Sequence, residues 1–188
     1  TGLNALDEAT GLIPDPAWKR QNYSGAEQEW LPRDAVNMAI GQGDVLVTPL
    51  QMANLVAAVA NGGTLYRPRL VQRIASASDD NVQDFAAEVL NHLPVSEANL
   101  QVMRRAMEGV VTGGTASAAF SGATVRMAGK SGTAEAPPGE PHAWFVGYAP
   151  ADNPQIAVAV VLERGGEGGR NAAPLFRQVV EAYMTLPR

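Results

Sequence analysis

Cysteine is absent from the 188 residues. That excludes disulfides, thiolate catalysis and zinc–thiolate sites, and leaves the redox compartment open. Runs of like charge are also absent, and a net charge of -5 argues against nucleic acid or an anionic membrane surface as a partner. No apolar run approaches the ~20 residues that span a bilayer, and no signal-peptide pattern is visible. The two histidines, His92 and His142, are scattered and form no HExxH, so no metal is expected, and nothing asks for a cofactor. Lysine is scarce as well: Lys19 and Lys130 stand against twelve arginines. The chain opens Thr1-Gly2-Leu3 without a methionine, and we expect it to be part of something longer.

What is present suits one domain with a sizeable core, at 46% hydrophobic residues. Residues 1–33 are rich in Gly, Pro and Trp and read as irregular and partly extended. Thr48 as cap, Pro49 at the first helical position and a stop at Asn61-Gly62-Gly63 predict a helix. Its apolar residues go nearly all round, so it should be buried. LYRPRLVQRI (65–74) reads as a short edge strand because of Pro68, and 75–93 as a polar excursion with one helical turn. Ser96 opens a second helix, with Leu100, Met103, Met107 and Val110 recurring at helical spacing and Gly113-Gly114 ending it.

Three strands of one antiparallel sheet follow, at about 123–134, 142–149 and 155–163. The third, IAVAVVL, is apolar enough to be covered on both faces. A flexible GGEGG loop then leads to a helix over about 173–186 with Phe176, Val179, Val180, Tyr183 and Met184 as its buried stripe. Three strands make a thin sheet, so the fold class is α+β, an antiparallel sheet packed by helices and incomplete in this chain.

The chemistry gathers in 128-AGKSGTAEAPPG-139 and 142-HAWFVGYAP-150. Gly129-Lys130-Ser131 matches the end of a P-loop, but Thr124 stands where the pattern needs glycine, and the chain runs on into a Pro-Pro-Gly turn instead of opening a helix. A solvated edge lysine is the bland alternative. Against it, lysine is rare in this chain, and Gly129 and Gly132 bracket Lys130 in a strand that glycine would otherwise weaken. The third reading is recognition of a carboxylate. The ammonium of Lys130 attracts it, the hydroxyls of Ser131 and Thr133 donate to it, and Gly132 lets a peptide lie along the strand. A backbone N–H on that edge would face a developing oxyanion. Pleat alternation puts Lys130 and Gly132 on one face and Ser131 and Thr133 on the other, so such a site must use the edge of the strand.

Lys-Ser-Gly-Thr beside His-Ala-Trp-Phe resembles the third active-site motif of the penicillin-binding proteins. The stretches 11-GLIPDPAWKR-20, 37-NMAIGQGDVLVTPLQMANLVAAVANGGTLYRPRLV-71 and 104-RRAMEGVVTGGTA-116 resemble the class B, elongation-type transpeptidases of that family. The likeness covers most of the chain, least over 72–95. It implies a β-lactamase/transpeptidase-like fold and D,D-transpeptidation of peptidoglycan through a serine acyl-enzyme, with peptidoglycan stem peptides as substrates and β-lactam antibiotics as mimics. It gives Lys130 and Thr133 catalytic roles, and Lys130, Ser131, Gly132 and Thr133 substrate contacts, with the Thr133 N–H as half of the oxyanion hole. It also implies an extracytoplasmic location at the bacterial membrane, anchored through a segment outside this chain.

The sequence departs from the family in one respect. None of the seven serines (24, 76, 78, 96, 117, 121, 131) has lysine three residues on or asparagine two residues on. Residues 1–188 therefore resemble the C-terminal portion of the transpeptidase domain, with its upstream half as a partner. A non-catalytic β-lactam or muropeptide sensor of the same fold is the rival reading, and a docking piece for elongation-machinery proteins a third. Ser131 as nucleophile lacks a nearby base, His142 suits a structural hydrogen bond, Trp144 and Phe145 suit packing on opposite faces, and Arg170 suits a mobile surface charge.

Overall fold

Residues 1–3, 7–76 and 82–187 are described by a computed structural model. Residues 1–33, expected to be irregular, contain helix. Asp15 accepts the N–H of Trp18 at 2.7 Å, and Pro16 occupies the first turn of α1 (Pro16–Asn22). A 3₁₀ turn, Gly25–Gln28, leads to α2 (Pro32–Ala39), where Asp34 accepts the Leu31 N–H at 2.7 Å. α1 has an acidic N-cap, Asp15, followed by Pro16, and α2 has Pro32 with Asp34 in its first turn, start signals that outweigh the surrounding Gly and Trp. An antiparallel bridge pairs Leu12 with Leu46.

Helix α3 (Pro49–Ala60) starts on a reciprocal cap: Thr48 Oγ1 accepts the Gln51 N–H at 3.1 Å, and Gln51 Oε1 accepts the Thr48 N–H at 2.8 Å. It is not buried all round. Val56, Ala58, Val59 and Ala60 are buried, while Leu55 is 44% exposed.

The segment read as one edge strand over 65–74 is two strands in separate ribbons. β1 (Thr64–Tyr66) and β2 (Arg73–Ala75) flank Pro68, which cannot donate to a ladder. β3 (Val82–Asp84) pairs with β2, and β4 (Val89–His92) pairs with β1, both antiparallel. These two strands replace the helical turn expected within 75–93; residues 77–81 of that segment lie outside the described residues. α4 (Glu97–Thr112) follows, capped by Ser96 Oγ, which accepts the Asn99 N–H.

The main sheet has the order β5 (Ala128–Ala134), β6 (His142–Ala149), β7 (Ile156–Leu162), antiparallel throughout. β5 begins at Ala128, not near Ala123. After a π-helical turn, Gly168–Ala172, α5 (Ala173–Thr185) closes the chain. Alternation along β6 divides the core in two. Ala143, Phe145 and Ala149 meet Phe120, Phe176 and Val180 on the α5 side. Val146 and Tyr148 meet Val56, Val59 and Met107 on the side of α3 and α4, with Trp144 packed against them. The three phenylalanine rings of the first cluster lie 4.8–6.1 Å apart, centroid to centroid. β7 follows the same rule: Val158 and Val160 face α5, and Ala157 and Ala159 face α3. It is covered on both faces, and its outer edge carries no strand among the described residues.

Candidate active site

Lys130 sits inside β5, opposite Val146, not at the start of a helix as a P-loop requires. Ser131 is opposite Phe145 and Gly132 opposite Trp144. Because Phe145 belongs to the α5-side core and Trp144 and Val146 pack on the other side, Ser131 and Thr133 face α5 and Lys130 and Gly132 face away from it. The structure thus keeps the geometric demand read from the sequence: the four residues share only the strand's outer edge.

That edge is defined by hydrogen bonds. The Thr133 carbonyl accepts from Gln42 Nε2 at 3.0 Å, and the Glu135 N–H donates to Gln42 Oε1 at 3.2 Å. Along an antiparallel strand, N–H and C=O of one residue point the same way and successive residues alternate. The backbone groups of Ser131 and Thr133 therefore face outward, and those of Gly132 face Trp144 on β6. The Thr133 N–H therefore points away from β6, on the same side as the carbonyl that Gln42 binds.

The side chains are organised by two segments the sequence reading did not assign to the site. Ser131 Oγ lies 2.9 Å from Thr115 Oγ1, from the stretch after α4. Thr133 Oγ1 accepts the Gly168 N–H at 3.4 Å. Lys130 is exposed and its ammonium donates to the Ser131 carbonyl. A lysine, two tethered hydroxyls and an outward N–H thus line one edge, a set suited to an anionic, peptide-like ligand.

The glycines here answer to close approach. A Cβ on Gly168 would fall 2.1 Å from both the Gly132 and Trp144 carbonyl oxygens, so the segment expected to be a flexible loop lies directly against the β5–β6 pair. On Gly132 a Cβ would meet Trp144 Cβ at 3.2 Å, so its small size also serves the packing of Trp144. Gly129 has Phe145 ring atoms 2.5 Å from where a Cβ would be.

His142 Nδ1 accepts the Arg164 N–H at 2.9 Å and ties the start of β6 to the turn after β7, which is a structural role. Phe145 is fully buried, and Arg170 is exposed. Among the described residues no group of three or more histidine or acidic side chains converges as metal ligands would. Gln42 could have been suspected from its flanks: Gly41 and Gly43 both have positive φ, 73° and 71°, which presents the residue between them outward. Nothing local in the sequence pointed to Thr115 or Gly168.

A family model described as the penicillin binding protein transpeptidase domain matches residues 1–181. The peptidoglycan D,D-transpeptidase MrdA of Haemophilus influenzae is 34% identical over 201 residues, covering 98% of this chain and 30% of that protein. Pseudomonas aeruginosa PBP2, solved in complex with WCK 5153, superposes with a TM-score of 0.80 at 36% identity, over 96% of this chain and 40% of that one. Penicillin-binding protein A of M. tuberculosis, solved as an imipenem acyl-enzyme complex, gives 0.70 at 36% identity over 79% and 33%. The chain therefore spans about a third of the length of the proteins it resembles. On the strength of a match over nearly its whole length and of relatives from the elongation-type group, the chain belongs to the penicillin-binding protein transpeptidase domain family, among its class B members.

Proposed function

We propose that the full-length protein is a serine-type peptidoglycan D,D-transpeptidase, and that residues 1–188 supply the substrate-binding strand and one side of its active site. The observation that carries this is the outward edge of β5, where Lys130, the Ser131 and Thr133 hydroxyls and the Thr133 N–H meet beside an open strand edge. In this reading Lys130 attracts the terminal carboxylate of the donor stem peptide and the two hydroxyls bind its oxygens. A serine attacks the penultimate D-Ala carbonyl, with the negative charge on that oxygen held by the Thr133 N–H. The terminal D-Ala leaves with a proton, and an amine of a neighbouring strand takes the acyl group and releases the serine. A β-lactam acylates the same serine, as the M. tuberculosis relative, solved as an imipenem acyl-enzyme, supports.

No serine here has the Ser-x-x-Lys or Ser-x-Asn spacing, so the nucleophile with its lysine, and the second motif, are assigned to the upstream half of the domain. Residues 1–188 by themselves are then inactive. Action on peptidoglycan requires an extracytoplasmic location, with membrane anchoring through a segment outside these residues.

The test is the acylation rate of the full-length protein with a labelled penicillin, wild type against Lys130→Ala. Losing one charge-assisted contact should raise the barrier by roughly 2–4 kcal/mol, with thermal unfolding unchanged. A wild-type rate in the variant would remove Lys130 from the mechanism. A wild type that never acquires the label would favour a binding module of the same fold.

A further inference from the structure

The Gly41-Gln42-Gly43 stretch lies some ninety residues from β5 in sequence, yet its carboxamide is the group that meets the reactive edge. Gln42 Nε2 donates to the Thr133 carbonyl at 3.0 Å, and Gln42 Oε1 accepts the Glu135 N–H at 3.2 Å. One side-chain amide thus bridges the residues on either side of Ala134, the pattern by which a parallel strand would pair there.

The turn that carries the amide is itself held from behind, with the Gln42 N–H donating to the Asn37 carbonyl at 2.9 Å. Tyr23 Oη donates to Asp44 Oδ1 at 2.8 Å, Leu12 and Leu46 exchange backbone bonds at 2.7 and 2.9 Å, and the positive φ of Gly41 and Gly43 lets the chain turn on both sides of Gln42. Glycine 43 also passes close to Asn37, where an added Cβ would lie 3.3 Å from Asn37 Cβ. Gln42 is therefore a fixed support, not a free surface side chain.

We propose that Gln42 is a positioning residue for the acylation step. By binding Thr133 O and Glu135 N, it fixes the 133–134 and 134–135 peptide planes and with them the Thr133 backbone, so that the N–H in the adjoining 132–133 plane is aimed before substrate arrives. It also ends the free edge of β5 at Thr133, so an extended donor can pair only with the Ser131–Thr133 segment. This inference rests on the transpeptidase reading above. Because preorganisation of an oxyanion donor acts in the transition state, loss of Gln42 lowers the rate of acylation and leaves ground-state affinity nearly unchanged.

The experiment measures acylation of the full-length protein by a chromogenic cephalosporin, separating the first-order acylation constant from the dissociation constant of the prior complex. Gln42→Ala should slow acylation about tenfold, two hydrogen bonds being lost, with the dissociation constant within about twofold. Amide hydrogen exchange at Glu135 should quicken in the same variant, since its N–H loses its acceptor. Gln42→Glu supplies the second arm. Its carboxylate accepts from Glu135 N–H but cannot donate to Thr133 O, whereas the protonated carboxyl group can do both. The rate of Gln42→Glu relative to wild type at the same pH should therefore recover as pH falls, which a merely structural role would not produce. An active wild type matched in rate by both variants overturns the inference, even if exchange at Glu135 quickens. Equal losses in rate and affinity with no recovery at low pH also overturn it, and point to a general structural defect. An inert wild type overturns the transpeptidase reading, and this inference with it.

Discussion

Gly168 shows how little room one residue can have. Its hypothetical Cβ falls 2.1 Å from two carbonyl oxygens of the β5–β6 pair, and neither belongs to a flexible side chain that could swing away. Gly168→Ala must push the π-helical turn off the sheet or spread the two strands. Overpacking of this kind costs about 1–3 kcal/mol. Chemical denaturation of the full-length protein should show that loss, and the acylation rate should fall with it, because the turn's N–H binds Thr133 Oγ1. Unchanged stability would mean that the turn relaxes away from β5. Tyr148 is constrained in a different way. Its hydroxyl is buried without a hydrogen-bond partner among the described residues, and burial first, with the charge of Glu108 second, raises its pKa above the ordinary tyrosine range. The ring, not the hydroxyl, is what packs beneath α3 and α4.

Elements are joined here by a few polar contacts between helices too short to stand alone. Lys19 of α1 is 4% exposed, and its ammonium donates to Asp34 of α2 at 2.5 Å. Asp34 is held below the ordinary aspartate range, chiefly by that hydrogen bond and next by the one from the Leu31 N–H. A carboxyl group with a folded pKa below its unfolded value contributes stability that is present above the unfolded pKa. That stability is lost as pH falls through the folded one. Stability curves should therefore decline on the acid side, below about pH 4, and Asp34→Asn should show a smaller decline at lower overall stability. An identical acid limb in both proteins would show that the pair contributes nothing. The same scale shows what periodicity could and could not reveal. α3, α4 and the sheet β5–β6–β7 were legible because Thr48, Ser96 and the Asn61 and Gly113 stops bracket clear hydrophobic patterns. β1 to β4 are three or four residues each, too short for a period, and each is a strand only through its pairing with another. α1 and α2 are short, and the Gly and Trp around them mask the start signals at Asp15-Pro16 and Pro32–Asp34.

At the scale of the whole molecule, the site is a product of long-range contact. Lys130 to Thr133 could be read from one short stretch, since charge, hydroxyls and glycine sit together there. Thr115 and Gly168 could not, and Gln42 is marked only by its flanking glycines, because each reaches β5 from a different segment and only the fold makes them neighbours. The outer edge of β7 carries no strand among the described residues, and an apolar edge of that kind seeks a partner. Residues 1–188 produced alone should therefore self-associate, and should gain thermal stability when a fragment carrying the upstream half of the domain is added. Intact-mass measurement with excess penicillin should find no adduct on the 188 residues and one adduct on the pair, located on the upstream fragment. An adduct on the isolated chain would sink the assignment of the nucleophile to the upstream half.

The two edges of the sheet have different occupations. β5 presents Lys130, Ser131 and Thr133, β7 carries no strand on its outer edge among the described residues, and β6 keeps the two margins two strand spacings apart, about 10 Å. In the transpeptidase reading proposed above, recruitment of the upstream half and reaction then fall on opposite margins of one small sheet. If the upstream fragment pairs with β7, substitutions there should weaken that association without touching the Lys130–Thr133 edge, and substitutions along β5 should silence labelling without loosening it. Under the transpeptidase reading proposed above, supplying the domain as two pieces should give an antibiotic-read coincidence detector, whose signal threshold and signal strength can be set independently.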